Sequence, residues 1–315
     1  MTGHSKPGGR RGRRAIAAGM VPLFVSFFLL WSCESLGKTI SMGAQAAKAL
    51  GVMEPEAADS ISSSGQAISR AAEEITPEQE YYIGRAVGAN ILSRYKMRQD
   101  AAALTKYLNE ICTVIVINSP RPEIYNGYHV AILDSMELNA FATPGGHIFI
   151  TRGLLACADS EDALAAVIAH EIGHIQLQHS IKAIKNSRIT SAIITTASST
   201  AKVLGSAELK ELAGVMDESV NEIITTLIDK GYSQEQEFEA DTAAMSLLAA
   251  AGYDPAALIS MLQQIERNQR EHSGGLIKTH PSPARRTEKA RNTLYKFKVP
   301  DTRSYRAARY KQITG

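Results

Sequence analysis

The pattern His170-Glu171-Ile172-Gly173-His174 constrains the fold more than any other part of this sequence. It lies in an apolar stretch of residues 160–178 that begins with helix-initiating residues, so we predict a buried helix there. Histidines four residues apart on a helix lie on one face, a single turn apart. Two buried imidazoles beside a carboxylate are costly without a partner. The domain is therefore expected to fold around this helix, with a shared cation as that partner.

Zinc suits two such imidazoles, because it accepts histidine nitrogen in tetrahedral geometry and keeps one position for water in catalytic sites. Glu171 would stand beside that water, take its proton and later pass it to a leaving amine. The pattern thus predicts one zinc ion per chain, with His170 and His174 as ligands and Glu171 as the catalytic base. The competing interpretation is a helix whose histidines are only packed.

A zinc site of this kind needs a third protein ligand. A histidine-rich extension of the motif is disfavoured, because Leu177 fills the place of a turn-forming glycine and His179 falls one residue short. His179 is predicted as a helix-end residue. Glu237 is the better candidate for the third ligand. Asp241, one turn later on the same helix face, would accept the second ring N–H of a metal-bound histidine.

The acidic cluster that contains Glu237 also holds Glu235 and Glu239, which fit a solvated face. The fold predicted around these groups is α+β and mostly helical, with one small sheet. Strands are expected at 129–133 and 147–151, separated by a glycine turn at 142–146. Helices are expected at 76–95, 100–116, 160–178, 189–204, 207–227, 233–251, 255–269 and 284–296.

The N-terminus has the features of an export signal. A basic region precedes an apolar run at 21–31, followed by Leu30-Trp31-Ser32-Cys33, a sequence similar to a bacterial lipobox. We predict a lipoprotein signal peptide over 1–32 and lipid on Cys33. The alternative is an uncleaved membrane helix, because residues 15–32 form an uncharged run long enough to span. Both interpretations place the body outside the cytoplasm.

Without residues 1–32 the chain has 34 − 5 = 29 basic and 32 acidic residues, a net charge of about −3. No basic face indicates nucleic acid. Residues 33–75, rich in Ala, Ser and Gly, are predicted to form a tether, and 298–315 a basic, solvated tail. Cys112 and Cys157 lie in apolar stretches and are predicted to be structural, as a disulfide or as buried thiols.

Together, the histidine motif and Glu237-Phe238-Glu239-Ala240-Asp241 resemble metallopeptidase family 48, which includes the CAAX prenyl protease, HtpX and BepA-like proteins. The resemblance covers about residues 76–295 and includes further motifs at 139–146, 148–155 and 279–281. It implies a zincin-like metallopeptidase domain over 76–297, with zinc on His170, His174 and Glu237 and with Glu171 catalytic. Because the chain lacks several membrane spans, it is similar to the BepA-like lipoprotein branch.

In related sequences a His-Pro loop lies over the metal cleft, so the resemblance makes His280 a candidate to cap the zinc or to steady the oxyanion. Arg286 could serve the same oxyanion, since fixed positive charge acts most strongly where negative charge develops. Both residues are therefore predicted to be catalytic. The alternative for residues 279–283 is a plain turn before a helix.

A peptidase must also hold its substrate extended, and an edge strand beside the metal can do so by main-chain pairing. The strand that begins with Gly145, Gly146, His147 and Ile148 is predicted to fill this role. The alternative is an ordinary hairpin.

The expected function is that of a periplasm-facing, lipid-anchored zinc endopeptidase that degrades misfolded or unassembled envelope proteins. Glu34 after Cys33 is not the aspartate associated with inner-membrane retention, which favours the outer membrane and its assembly machinery as a partner. One alternative is a periplasmic chaperone or assembly factor whose protease site is latent under His280. A structural zinc protein is the other, which the intact Glu171 disfavours.

Overall fold

The computed structural model describes residues 33–186, 221, 223–225, 230–268, 279–280, 282–297 and 303–314. The chain divides into two compact units, residues 1–73 with 192–200 and residues 74–191 with 201–315. The predicted signal peptide and the helix at 189–204 lie outside the described residues, as does most of the helix at 207–227. None of the helices in the described ranges combines the length and apolarity needed to cross a membrane.

In the first unit, helices α1 (Cys33–Ala49) and α2 (Pro55–Ala71) form a hairpin. Their backbones approach so closely at Gly37 and Gly65 that a Cβ on Gly65 would lie 2.6 Å from the carbonyl oxygen of Gly37. The Ser41 and Ser62 hydroxyls are hydrogen-bonded across the same contact at 2.8 Å. This hairpin differs from the predicted tether, because small residues let two weakly apolar helices pack where the sequence shows no hydrophobic stripe.

The second unit begins with helices α3 (Pro77–Arg94) and α4 (Ala102–Ile117). The start predicted for α3 is confirmed: the Thr76 side chain accepts from the Gln79 N–H, and the Gln79 side chain accepts from the Thr76 N–H. Such a capping box satisfies two N–H groups that a helix start leaves without partners. Helix α4 packs against the sheet and against the motif helix.

The sheet has three strands, β1 (His129–Leu133), β2 (Ala140–Ala142) and β3 (His147–Thr151), in the order β1-β3-β2. Strand β3 runs parallel to β1 and antiparallel to β2. The two predicted strands are confirmed, whereas the three-residue β2 was not predicted. It joins β3 through a turn in which Gly145 and Gly146 have φ of 73° and 96°, angles that favour glycine.

The prediction that Gly145, Gly146, His147 and Ile148 lead an edge strand for substrate is wrong. Ile148 pairs with Val130 on one side and with Ala142 on the other, so β3 is the central strand. Both rows of its main-chain hydrogen-bonding groups are already used within the sheet. The sequence placed the glycine turn correctly but did not reveal the strand on its other side.

The motif helix, α6, is the centre of the second unit. It follows the short helix α5 (Arg152–Cys157), spans Glu161–Gln176, and is capped by the Ser160 side chain. Its residues are buried from Glu161 to Ile175. Helices α7 (Gln234–Ala250), α8 (Ala256–Asn268) and α9 (Pro283–Leu294) follow along the chain, and α4, α7 and α8 pack against α6. The predicted α+β class, mostly helical with one small sheet, is confirmed.

Helix α10 (Arg303–Thr314) replaces the predicted solvated tail. Arg306 is only 5% exposed and donates to Asp162 at 2.8 Å, while Arg309 forms an ion pair with Glu161. The sequence prediction assigned Glu161 and Asp162 to the dipole of α6 alone. Their buried charges also require cationic partners, and the basic segment supplies them.

The two described cysteines that were considered for a disulfide are free. Cys112 is buried within α4, where burial raises the pKa of its thiol to about 12. Cys157 lies at the end of α5, and its thiol donates to the carbonyl oxygen of Gly153. Both therefore behave as small packed side chains.

The contact between α3 and the β2–β3 turn gives a matched pair of substitutions. A Cβ on Gly84 would overlap the Pro144 carbonyl, whereas a Cβ on Gly88 would lie 3.3 Å from the movable ring of Phe149. We expect Gly84→Ala to lower the free energy of unfolding by about 3 kcal/mol. Gly88→Ala should change it by less than about 1 kcal/mol, since the higher helix propensity of alanine offsets the crowding. Urea unfolding followed by circular dichroism measures both, and equal effects would contradict this packing.

Candidate active site

The candidate active site lies where α6 and α7 cross. A Cβ on Gly173 would lie 3.0 Å from the Ala240 carbonyl oxygen, so glycine allows the two helices this close approach. The crossing brings carboxylates of α7 against the histidines of α6. All seven predicted metal-binding, catalytic and supporting side chains are buried: His170, Glu171, His174, Glu237, Asp241, His280 and Arg286.

His280 reaches the site because the residue before it is held from two sides. The Thr279 hydroxyl donates to Asn139 Oδ1 at 3.1 Å, and the Tyr232 N–H donates to the Thr279 carbonyl at 3.0 Å. Asn139 belongs to the motif that precedes the glycine turn. Two motifs separated by 140 residues in the sequence thus meet beside the histidine pair.

Four donor atoms, from His170, His174, Glu237 and His280, form one cluster in the described part of the chain. The Nε2 atoms of His170 and His174 are 3.1 Å apart, and His174 Nε2 is 3.4 Å from Glu237 Oε1. His280 Nδ1 is 3.3 Å from His170 Nε2 and 2.9 Å from Glu237 Oε1. Donors held about 2 Å from one tetrahedral ion are about 3.3 Å apart. The observed spacings therefore fit a single metal ion.

The carboxylates provide a second sign that a cation belongs here. Among the described residues, Glu171 Oε2 and Glu237 Oε2 are buried without a hydrogen-bond partner. Arg286 Nη1 lies 2.8 Å from Glu237 Oε2, but outside hydrogen-bonding geometry. Buried charged oxygens without hydrogen bonds are costly, and they are found where a metal or a reacting proton supplies the missing interaction.

Asp241 and Arg286 hold the site from behind. Asp241 Oδ1 lies 3.0 Å from His170 Nδ1, where it can accept the ring N–H. Arg286 donates to Asp241 through Nε at 2.8 Å and Nη2 at 2.6 Å. A bidentate pair of this kind fixes the plane of the carboxylate, and thereby the orientation of the His170 ring.

Arg286 therefore differs from its predicted role at the oxyanion. Its three side-chain nitrogens all face carboxylates that lie behind or beside the histidines, those of Asp241 and Glu237. The chemical need that the sequence did not reveal is charge balance, because α7 brings two carboxylates into the interior within one turn. We assign the guanidinium to that balance.

The pKa directions match this distribution of charge. Burial alone would raise the pKa of Glu237, but the charges of His280 and Arg286 hold it well below its usual range. Burial likewise opposes ionisation of Asp241, and Arg286 still lowers its pKa to about 2. Burial raises the pKa of Glu171. Two carboxylates are thus stabilised as anions, while Glu171 retains proton affinity, as a general base requires.

Three residues of the site were not predicted for it. His179 Nδ1 lies 2.8 Å from His174 Nδ1, and His179 Nε2 lies 3.1 Å from Glu239 Oε2. The Tyr232 ring stacks on His174 at 3.9 Å between centroids and 18° between planes. The sequence signal for His179 was considered only for direct metal binding, and its Nδ1 points at a ligand histidine instead. Glu239, assigned to a solvated face, is exposed yet hydrogen-bonded.

Beside His170 and Glu171 there is a small apolar cavity of about 30 Å³. Helix α8 lines it with Leu258, Met261, Leu262 and Ile265. An apolar wall next to a buried carboxylate excludes water, which strengthens the electrostatic interactions within the site.

Removing the positive charge of Arg286 should destabilise the protein. Arg286→Met leaves two buried carboxylates without a cation, and we expect a loss of about 3–5 kcal/mol in the free energy of unfolding. The same substitution at Arg285, its exposed neighbour, is the control. The metal-free proteins are compared by chemical unfolding at neutral pH, and equal stability of the two variants would contradict this role.

The stabilisation involving Asp241 also has a defined pH dependence. Its pKa is lowered from 3.8 to about 2 in the folded protein. The contribution is therefore fully present above the unfolded value and is lost as pH falls through the folded value. The difference between wild type and Arg286→Met should narrow across this acidic window.

Comparison with known proteins agrees with the geometry. The chain is 27% identical to the Escherichia coli (strain K12) beta-barrel assembly-enhancing protease over 254 residues, which cover 78% of this chain and 50% of that protein. It is 28% identical to the metalloprotease LoiP of the same organism over 158 residues, 50% of this chain and 59% of LoiP. The mitochondrial metalloendopeptidase OMA1 of Schizosaccharomyces pombe is 29% identical over 213 residues, 66% of this chain and 59% of OMA1.

The aligned regions thus span about half the length of these curated relatives. The sequence profile described as Peptidase family M48 matches residues 99–294, which include the strands, both crossing helices and the residues of the donor cluster. The match covers more than half of the chain, and the chain therefore belongs to peptidase family M48.

Proposed function

We propose that this protein is a zinc-dependent endopeptidase. The observation that carries the proposal is the convergence of His170, His174 and Glu237 around one point, with the buried carboxylate of Glu171 left without a hydrogen bond among the described residues. Three ligands and an uncommitted base are the two parts that metal-assisted hydrolysis requires. A metal with only a structural role would have no use for that base.

Two histidine nitrogens and one carboxylate oxygen in a tetrahedral arrangement favour zinc over harder cations such as magnesium or calcium. When bound, the ion would act as a Lewis acid that polarises the scissile carbonyl and lowers the pKa of an attacking water. His170 and His174 would hold it through Nε2, and Glu237 would hold it through Oε1. The close spacing of these three atoms supports one ion per chain.

In this proposal, Glu171 takes the proton of the attacking water and delivers it to the nitrogen of the leaving amine. The raised pKa of the buried carboxyl supports both steps, because the group must gain the proton before it gives it up. Asp241 keeps the His170 ring oriented throughout, and Arg286 keeps Asp241 ionised. The apolar wall of α8 limits entry of further water.

For the substrates, we propose misfolded or unassembled polypeptides of the bacterial envelope. The proposal draws on the lipobox at Cys33 and on the names of the relatives, one of which is a beta-barrel assembly-enhancing protease. Lipid on Cys33 would then anchor the body on the periplasmic side, with the outer membrane and its assembly machinery as the expected surroundings.

The central test is a substitution that removes the base but keeps the shape. Glu171→Gln in the full chain, purified in detergent, should lower turnover of an unfolded protein by about 10²–10⁴-fold while zinc content stays at one per chain. Glu110→Gln, at an exposed position on α4, is the control and should cleave like wild type. Unchanged cleavage by Glu171→Gln would rule out its role as base.

A second candidate function has support of its own. His280 Nδ1 lies within the donor cluster, 2.9 Å from Glu237 Oε1. Four protein donors would complete a tetrahedral ion, whereas a catalytic site leaves one position open. In this arrangement the chain would be a latent protease, or a chaperone or assembly factor that binds unfolded clients with its protease site closed by His280.

Substitution of His280 separates the two functions. If the side chain closes the site, His280→Ala should raise cleavage of an unfolded protein by roughly tenfold, the factor that corresponds to about 1.4 kcal/mol. His129→Ala, at an exposed position on β1, is the control. Lower cleavage in His280→Ala would instead indicate that His280 contributes to the reaction, and equal cleavage would remove both roles.

A further inference from the structure

Beyond the ligands and the base, we propose that His179 and Glu239 form a hydrogen-bonded relay that orients the imidazole of His174 for metal binding. This inference rests on the proposed function in that it takes His174 as a zinc ligand. It assigns His179 as a positioning residue, whereas the motif spacing alone makes it a failed third ligand.

The chain path brings His179 to this position. Helix α6 ends at Gln176, and Gln178 then adopts a φ of 54°, in the left-handed region that side chains other than glycine rarely enter. This residue turns the chain before residues 179–186 continue as helix. As a result, the ring of His179 returns against the end of α6 and is completely buried.

The hydrogen-bond roles in the relay follow from the metal site. His174 Nε2 lies among the donor atoms of the cluster, so in a metal ligand the ring proton must be on Nδ1. That N–H faces His179 Nδ1 at 2.8 Å, which must then be the acceptor. The proton of a neutral His179 is consequently on Nε2, where it can be donated to Glu239 at 3.1 Å. Every nitrogen in this chain has one defined role.

The contact cannot be replaced by the other neighbour of His174. Tyr232 stacks on the ring face and fixes the ring plane, but stacking does not fix rotation of the ring within that plane. A hydrogen bond to Nδ1 does fix that rotation, and with it the direction of the metal-binding lone pair on Nε2. His179 itself lies outside the donor cluster, so it acts through His174.

Helix α7 completes a symmetric arrangement around the two histidines of the motif. It provides the ligand Glu237, then Glu239 two residues later and Asp241 four residues later. Asp241 reaches His170 directly at 3.0 Å. Glu239 is too far along the surface to do the same for His174 and reaches it through His179. Each ligand histidine thus has a carboxylate from the same helix turn behind it.

The test measures zinc affinity, which does not depend on turnover. The dissociation constant for zinc of the full chain is determined by competition with a chromophoric chelator, and the melting temperature of the metal-free chain is measured in parallel. His179→Ala should weaken zinc binding by about 10–100-fold and leave the metal-free melting temperature close to that of His179→Leu. His179→Asn should recover most of the affinity, because its Oδ1 can accept the same N–H.

Glu239→Ala should weaken zinc binding by a smaller factor, since an exposed carboxylate holds its partner less firmly. Glu235→Ala, at an exposed position one turn earlier on α7, is the matched control and should bind zinc like wild type.

Unchanged affinity in His179→Ala would overturn the relay, and so would equal losses in the Ala and Asn variants, which would indicate packing alone. Glu239→Ala indistinguishable from Glu235→Ala would remove Glu239 from it. A wild-type chain that binds zinc but cleaves nothing would contradict the proposed peptidase while leaving these affinity differences intact. A wild type without zinc affinity would overturn both.

Discussion

The second unit depends on the contact between the motif helix and α7, where ionisable groups are buried against one another. Glu237 and Asp241 enter the interior on one turn of α7, and they are held there by Arg286 and by the histidines of α6. Desolvation of two carboxylates would oppose folding if any partner were missing. The packing of α9, the burial of α6 and the orientation of His170 all follow from meeting that requirement.

Much of this arrangement could be predicted from the sequence, because it obeys local rules. The spacing of His170 and His174 defines one helix face, and Thr76 with Gln79 defines a helix start whatever the rest of the chain does. The pairing of Asp241 with His170 was predictable for the same reason, since the residue lies one turn from Glu237. The helices and the two five-residue strands were also found because each has a sequence period of its own.

The remaining features depend on contacts between distant segments, which periodicity does not show. The three residues of β2 are too few to display alternation, and only their pairing with β3 makes His147 central and not peripheral. The α1–α2 hairpin is stabilised by the absence of side chains at Gly37 and Gly65, which a hydrophobicity pattern cannot report. His179 needed the left-handed turn at Gln178 before its ring could reach His174.

The ion pairs between α10 and the first turn of α6 have a consequence for the order of events during synthesis. Arg306 and Arg309 are the partners of Asp162 and Glu161, yet they leave the ribosome about 145 residues later. Until then the start of the motif helix carries two acidic groups that resist burial. The catalytic centre therefore completes its packing only after almost all of this sequence has emerged, which would delay proteolytic competence until the growing chain and its neighbours are no longer at risk.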